Sequence, residues 1–86
     1  MLQTEILLDG IEPADFLGVQ DSNWRVLRAQ FPTLSLVTRG NMVKAKGNRE
    51  DIGRFEGVMR MVVWHLERFG RLTEDDLFRL VRSEES

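Results

Sequence analysis

The sequence predicts an α+β domain in which helices pack on one face of a three-stranded sheet. Short alternating segments at residues 4–8, 33–38 and 42–46 have the period of half-buried strands. Apolar residues within 52–69 recur every three or four positions, as in an amphipathic helix. A chain of 86 residues suffices for one modest core, and three strands are too few for two stacked sheets. We therefore expect a single domain over residues 1–86.

The first third of the chain predicts one strand followed by two helices. In the strand, Ile6 and Leu8 point inward, and a turn at residues 9–10 follows. Proline is preferred at a first helical position, so residues 13–17 predict a single helical turn that stops at a glycine. Asp21 or Ser22 then caps a longer helix. Its apolar side is spaced i, i+3, i+7 and consists of Trp24, Leu27 and Phe31.

A β-hairpin is predicted around the turn at residues 39–41. In its first strand, Leu34 and Leu36 share one face. In its second strand, alternation places the two lysines on one face with Met42, so we expect the lysines to face solvent. The opposite face carries Val43 and Ala45.

The long helix that follows is the strongest periodic signal in the chain. We expect Asn48 to cap it. Gly53 and Gly57 each cost about 1 kcal/mol relative to alanine in a helix interior, so we expect them to allow close packing against the sheet. The apolar positions step by three and four: Ile52, Phe55, Met59, Val62, Leu66 and Phe69.

A second apolar row on this helix, Met61 and Trp64, leaves surface for one further element. A terminal helix can supply it, with Thr73 as its cap and three acids in its first turn, where they complement the helix dipole. Its apolar side consists of Leu77, Leu80 and Val81. We also consider Met61 and Trp64 a candidate interaction surface.

Composition argues against catalysis by this chain alone. It has no cysteine, and His65 is its one histidine, so the familiar zinc sites are excluded and we expect no metal, cofactor or catalytic residue. The sequence contains no phosphate-binding loop and no nucleophile elbow. Cysteine-free composition favours a cytoplasmic protein, and the apolar runs are far shorter than the ~20 residues of a membrane span.

Charge is unevenly distributed along the chain. Residues 1–21 hold five acids and no base, whereas residues 25–49 hold six bases and no acid. The middle block is a candidate cationic surface for phosphate contacts. The alternative is a solvated face with acidic neighbours across the fold. The candidate nucleic-acid-binding residues are Arg39, Lys44, Lys46 and Arg49.

The predicted order βααββα is that of the type I KH module, which grips single-stranded nucleic acid on the backbone of a GXXG loop. The corresponding segment here is Gly18-Val19-Gln20-Asp21. It has the first glycine, but Asp21 replaces the second and adds negative charge where phosphates would approach. The basic hairpin offers another route to nucleic acid.

Short motifs spread over nearly the whole chain point to a family. They include Leu7-Leu8-Asp9-Gly10, Phe16-Leu17-Gly18-Val19-Gln20-Asp21-Ser22-Asn23, Phe31-Pro32, Arg39-Gly40-Asn41, Lys46-Gly47 and Leu72-Thr73-Glu74-Asp75-Asp76. Together they resemble the N-terminal region of PhoH-like proteins, the phosphate-starvation-inducible ATPases of bacteria. The resemblance implies a KH-like module joined to a P-loop ATPase domain that acts in RNA metabolism. That domain, with its ATP and Mg²⁺, would lie outside this chain, which we expect to be an excised domain or a fragment.

Two functions remain open at this point. The first is an accessory module that faces single-stranded RNA through the basic hairpin. The second is an interaction module that docks on the ATPase domain or on neighbouring subunits, as in a homo-oligomer.

Overall fold

The computed structural model describes residues 1–85 and confirms the α+β architecture. The sheet consists of strands β1 (Leu2–Leu7), β2 (Ser35–Arg39) and β3 (Met42–Gly47). The helices are α1 (Pro13–Leu17), α2 (Ser22–Gln30), α3 (Arg49–Phe69) and α4 (Glu74–Glu85), and a 3₁₀ turn, Val19–Asp21, joins α1 to α2. The order βααββα followed by a C-terminal helix agrees with the prediction.

The sheet is antiparallel throughout, with the order β1-β3-β2. Its inner face is buried under the helices and contributes Val43 and Ala45, as the alternation predicts. Leu34 belongs to the core, and Leu36 and Ile6 pack against it. Within residues 1–85 no helix lies over the outer face, and Lys44 and Lys46 are exposed there. Helices therefore cover one face only.

Helix α3 lies across β1 and β3 and supplies the centre of the core. The Asn48 side chain accepts a hydrogen bond from the Asp51 N–H at 2.9 Å, which confirms the predicted cap. Phe69 was predicted to lie on the buried apolar face, but it is 57% exposed and does not belong to the core. It is the last residue of α3, directly before Gly70, and its ring lies 4.8 Å from that of His65.

The two glycines of α3 do not pack against the sheet, so that prediction is wrong. A Cβ at Gly53 would meet no atom within 4 Å. A Cβ at Gly57 would meet the carboxylate of Glu84, which belongs to α4. Helix α4 packs on α3 and α2, and this position explains why the apolar face of α3 is wider than one stripe.

A capping box begins α4. The Asp76 N–H donates to Thr73 Oγ1 at 3.1 Å, and the Thr73 N–H donates to Asp76 Oδ2 at 3.0 Å. Thr73 therefore caps the helix as predicted, and the Asp76 side chain in turn accepts a hydrogen bond from the Thr73 backbone. Among residues 1–85, no helix is both long enough and apolar enough to span a membrane.

Candidate nucleic-acid interface

A groove of about 560 Å³ runs between α2 and the free edge of β2. Arg25 and Arg28 line its helical side. Apolar side chains and Ser35 form the rest of its lining: Ala29, Phe31, Pro32, Leu34 and Leu36. The lining contains two guanidinium groups and no carboxylate. Such a combination suits a chain with anionic phosphates on one side and the flat faces of bases on the other.

The GXXG-like loop adjoins this groove at the start of α2. Gly18 has φ +79°, and a Cβ there would lie 2.7 Å from Ser22 Oγ, so only glycine fits. Gln20 and Asp21 also have positive φ, at 54° and 61°. For residues with a side chain this left-handed region is strained, and glutamine adopts it less readily than aspartate. Arg25 donates a hydrogen bond to the Gln20 carbonyl and so links the strained loop to the groove.

Asp21 stands at the N-terminal position of α2 but does not cap it. Its side chain accepts no hydrogen bond from the helix, because the residue is left-handed rather than extended. The sequence predicted Asp21 or Ser22 as the cap; Asp21 makes no capping hydrogen bond, and Ser22 lies inside the helix as its first residue, so the prediction is wrong for both. Asp21 is exposed in the loop.

Three of the four predicted binding residues lie on the outer face of the sheet. The register pairs Val37 with Lys44 and Ser35 with Lys46, and Arg39 is diagonal to Lys44. They form a cationic stripe across β2 and β3. Lys46 is the member nearest the groove, since its cross-strand partner Ser35 lines that groove.

The stripe is partly neutralised at its centre. Lys44 Nζ lies 3.5 Å from Glu5 Oε2, with both side chains about half exposed. An exposed pair of this kind contributes little to stability, and it lowers the positive potential there. Arg49, the fourth predicted residue, is exposed at the first turn of α3 rather than on the sheet. Arg25 and Arg28, which belong to the same basic block, were not among the predicted site residues.

Asp51, in the first turn of α3, connects the segment before β2 to the start of this helix. The Thr33 hydroxyl donates a hydrogen bond to the Asp51 carboxylate, and Asn48 Nδ2 donates to the same carboxylate at 2.9 Å. The Thr33 hydroxyl, followed by the Asn48 amide, lowers the pKa of Asp51 below its ordinary value. The carboxylate is therefore ionised near neutral pH and is occupied by these structural contacts.

The two residues of the predicted interaction surface, Met61 and Trp64, differ in how far they are exposed. Met61 is half-buried, whereas Trp64 is 57% exposed. The Arg68 guanidinium lies 5.4 Å from the Trp64 ring centre, and the rings of Trp64 and Phe69 meet edge to face at 6.3 Å. Trp64 thus presents an apolar surface on the side of α3 away from the groove.

His65 is paired with Asp76, a residue of the capping box that begins α4. Its Nε2 lies 3.3 Å from Asp76 Oδ2, and both side chains are only 16% exposed. Asp76 is also bound by Thr73 and by the Arg79 guanidinium. No group of three potential metal ligands occurs among residues 1–85.

No family model, curated protein or solved structure matches this chain.

Proposed function

We propose that this domain is an accessory module that holds single-stranded RNA for a PhoH-like ATP-binding protein. The observation that carries the proposal is the α2–β2 groove, which combines two arginines with an apolar lining and contains no acid. The βααββα order and the loop at Gly18 support it, because KH modules bind on the same elements. The resemblance to PhoH-like proteins supplies the ATPase domain that the module would serve.

In this proposal the phosphates contact basic side chains on two sides of the groove. Arg28 stands on the helical side, and Lys46 extends the cationic stripe toward the strand side. Arg25 has a second role, since it also holds the loop carbonyl of Gln20. Phosphate contacts of this kind position a strand without reading its sequence. We therefore expect broad rather than sequence-specific binding.

Fluorescence anisotropy with a labelled single-stranded RNA, repeated over a series of salt concentrations, tests the proposal. Arg28→Glu and the double variant Lys44→Glu/Lys46→Glu should each weaken binding several-fold. Each lost phosphate contact should also reduce the slope of log affinity against log salt by about 0.7. Arg60→Glu is the matched control for Arg28→Glu, because it makes the same charge change beside the opposite edge of the sheet. Unchanged affinity in both test variants would refute the proposal.

A specific observation favours a second function, that of a protein-interaction module. Trp64 is a large aromatic residue that is more than half exposed, and such residues are enriched at interfaces. Light scattering of the domain alone and joined to its ATPase domain would test this alternative. Identical assembly states with and without the domain would count against it.

Neither function assigns a catalytic step to this chain. ATP hydrolysis by the purified 86-residue chain would contradict both proposed functions, because neither includes a catalytic step.

A further inference from the structure

Strand β1 is an unpaired edge on the side of the sheet away from the proposed RNA groove. The order β1-β3-β2 leaves one edge at β2, which borders the groove, and the other at β1. A free edge presents backbone groups that can pair with another strand. Leu2 and Leu7, at the two ends of β1, are 40% and 56% exposed. The edge is therefore accessible and apolar at both ends.

The ladder shows which backbone groups point outward from this edge. The Leu8 N–H donates to the Asn41 carbonyl at 2.7 Å, in continuation of the β1–β3 register. In an antiparallel pair, alternate residues direct their backbone groups to opposite sides. The N–H and C=O groups of Gln3, Glu5 and Leu7 therefore point away from β3, toward the free edge.

A groove of about 370 Å³ follows this edge between β1 and α3. Its apolar lining comes from Ile6, Met59, Val63 and Trp64. Thr4 Oγ1 donates to Glu56 Oε2 at 2.8 Å and so fixes the strand against the helix. A strand added at the edge would direct every second side chain into this groove, where Trp64 is exposed.

We propose that the occupant of this edge is β1 of a second copy of the chain, paired antiparallel about a twofold axis at Thr4. In this register Gln3 lies opposite Glu5 of the second copy, and Leu2 lies opposite Ile6 of the second copy. The two outward-pointing positions, Gln3 and Glu5, then exchange backbone hydrogen bonds, and the apolar pair faces the groove. The result is a continuous six-stranded sheet with the two RNA grooves at its outer edges.

The sequence of β1 is complementary to itself in this register and not in its neighbours. A slip by one residue would place outer-face side chains on the inner face. Moving the axis to Glu5 would set two glutamates directly opposite each other, which is destabilising. Moving it to Gln3 would leave Ile6 without a strand partner. A foreign peptide would need no such self-complementarity.

Sedimentation velocity and amide hydrogen exchange, from micromolar to millimolar concentration, test the dimer. We expect a concentration-dependent dimer in which the N–H groups of Gln3 and Glu5 become protected as it forms. Gln3→Lys should strengthen the dimer and Gln3→Glu should weaken it, each by about two- to thirtyfold, the range for two cross-strand charge pairs.

The variants separate association from folding because their effects within one copy have the opposite sign. Gln3 is paired with Lys46 inside the chain, so lysine at position 3 meets a like charge there and glutamate meets an opposite one. A strictly monomeric wild type and a strictly monomeric Gln3→Lys variant would overturn the proposal. A dimer equally strong in both variants would also overturn it, since another surface would then form the contact. RNA binding is measured at the other edge and is judged independently.

Discussion

The side-chain amide of Asn23 donates a hydrogen bond to the backbone carbonyl of Leu72, with the two atoms 2.8 Å apart. The same nitrogen also lies 3.3 Å from the Phe16 carbonyl. Asn23 is 2% exposed and is the one buried polar residue among residues 1–85. It connects the end of α1, the start of α2 and the segment between α3 and α4. The loop at Gly18 and the segment that leads into α4 are therefore both anchored by the Asn23 side chain.

Replacing Asn23 with alanine should lower the free energy of unfolding by about 1–3 kcal/mol. The reason is that the Leu72 carbonyl would lose its partner inside the core, where an unsatisfied polar group is costly. Urea unfolding followed by circular dichroism measures the change. Asn41→Ala is the control, since Asn41 is exposed in the hairpin turn and uses only its backbone carbonyl. Equal stability of the two variants would contradict this role.

Alanine at Gly53 should stabilise the domain by about 1 kcal/mol, the helix-propensity difference between the two residues. A Cβ at that exposed position meets no atom within 4 Å. At Gly57 the gain should be smaller, because the Glu84 carboxylate must first move aside. The end of that side chain is flexible, so we expect a result between no change and slight stabilisation. Thermal unfolding compares the variants; a destabilised Gly53→Ala would show that the position needs glycine.

These glycines show where the sequence fails to predict the structure. Periodicity identified α3 and five of its seven buried residues, because one apolar face recurs every three to four residues, but it did not identify Gly57 and Val58. It carries no information on which element lies opposite a given glycine, so the contact between Gly57 and Glu84 was not predictable. The buried Asn23 was missed for a similar reason. Its two acceptors are carbonyls seven and 49 residues away.

The candidate site was predictable in charge but not in geometry. The run of bases in residues 25–49 identified the cationic part of the chain. Strand alternation placed Lys44 and Lys46 on the solvent face as observed. The pairing of Lys44 with Glu5 depends on β1 lying next to β3, which is a matter of sheet order. The role of α2 as a wall of the groove likewise depends on tertiary packing.

The capping box of α4 should make stability sensitive to acid. The Thr73 N–H lowers the pKa of Asp76 below its ordinary value of 3.8, and the Thr73 hydroxyl, His65 and Arg79 act in the same direction. A lowered pKa means that the unfolded chain binds this proton more tightly than the folded one. The stabilisation from Asp76 is therefore complete at pH values above the ordinary pKa of the unfolded chain. It is lost as the pH falls through the lower pKa that Asp76 has in the folded domain.

Asp76→Asn tests this contribution. The difference in unfolding free energy between the wild type and this variant should shrink as the pH falls below about 4, where Asp76 becomes protonated in the wild type. Urea unfolding at a series of pH values measures it. Asp51 has a pKa lowered in the same direction, so some acid sensitivity should persist in the variant. Asp75→Asn is the control, since Asp75 lies in the same helical turn but is exposed. A difference that does not vary with pH would contradict the prediction.

Asp21 provides the sharpest test of how the loop at Gly18 meets RNA. Its left-handed backbone, with φ 61°, suits glycine, so Asp21→Gly should fold with a stability within about 1 kcal/mol of the wild type. Removal of the exposed carboxylate should raise RNA affinity several-fold, because a negative charge near the phosphates is lost. Anisotropy at low salt, where electrostatic terms are largest, measures the gain.

Two further variants separate the charge of Asp21 from its conformation. Asp21→Asn keeps the shape of the side chain and tolerates the left-handed region, so it should bind RNA as tightly as Asp21→Gly. Gln20→Gly relieves the neighbouring strained residue, with φ 54°, without changing charge, so it should bind like the wild type. If all three variants bind like the wild type, phosphates do not approach this loop. Binding would then depend on the groove arginines and the hairpin lysines alone.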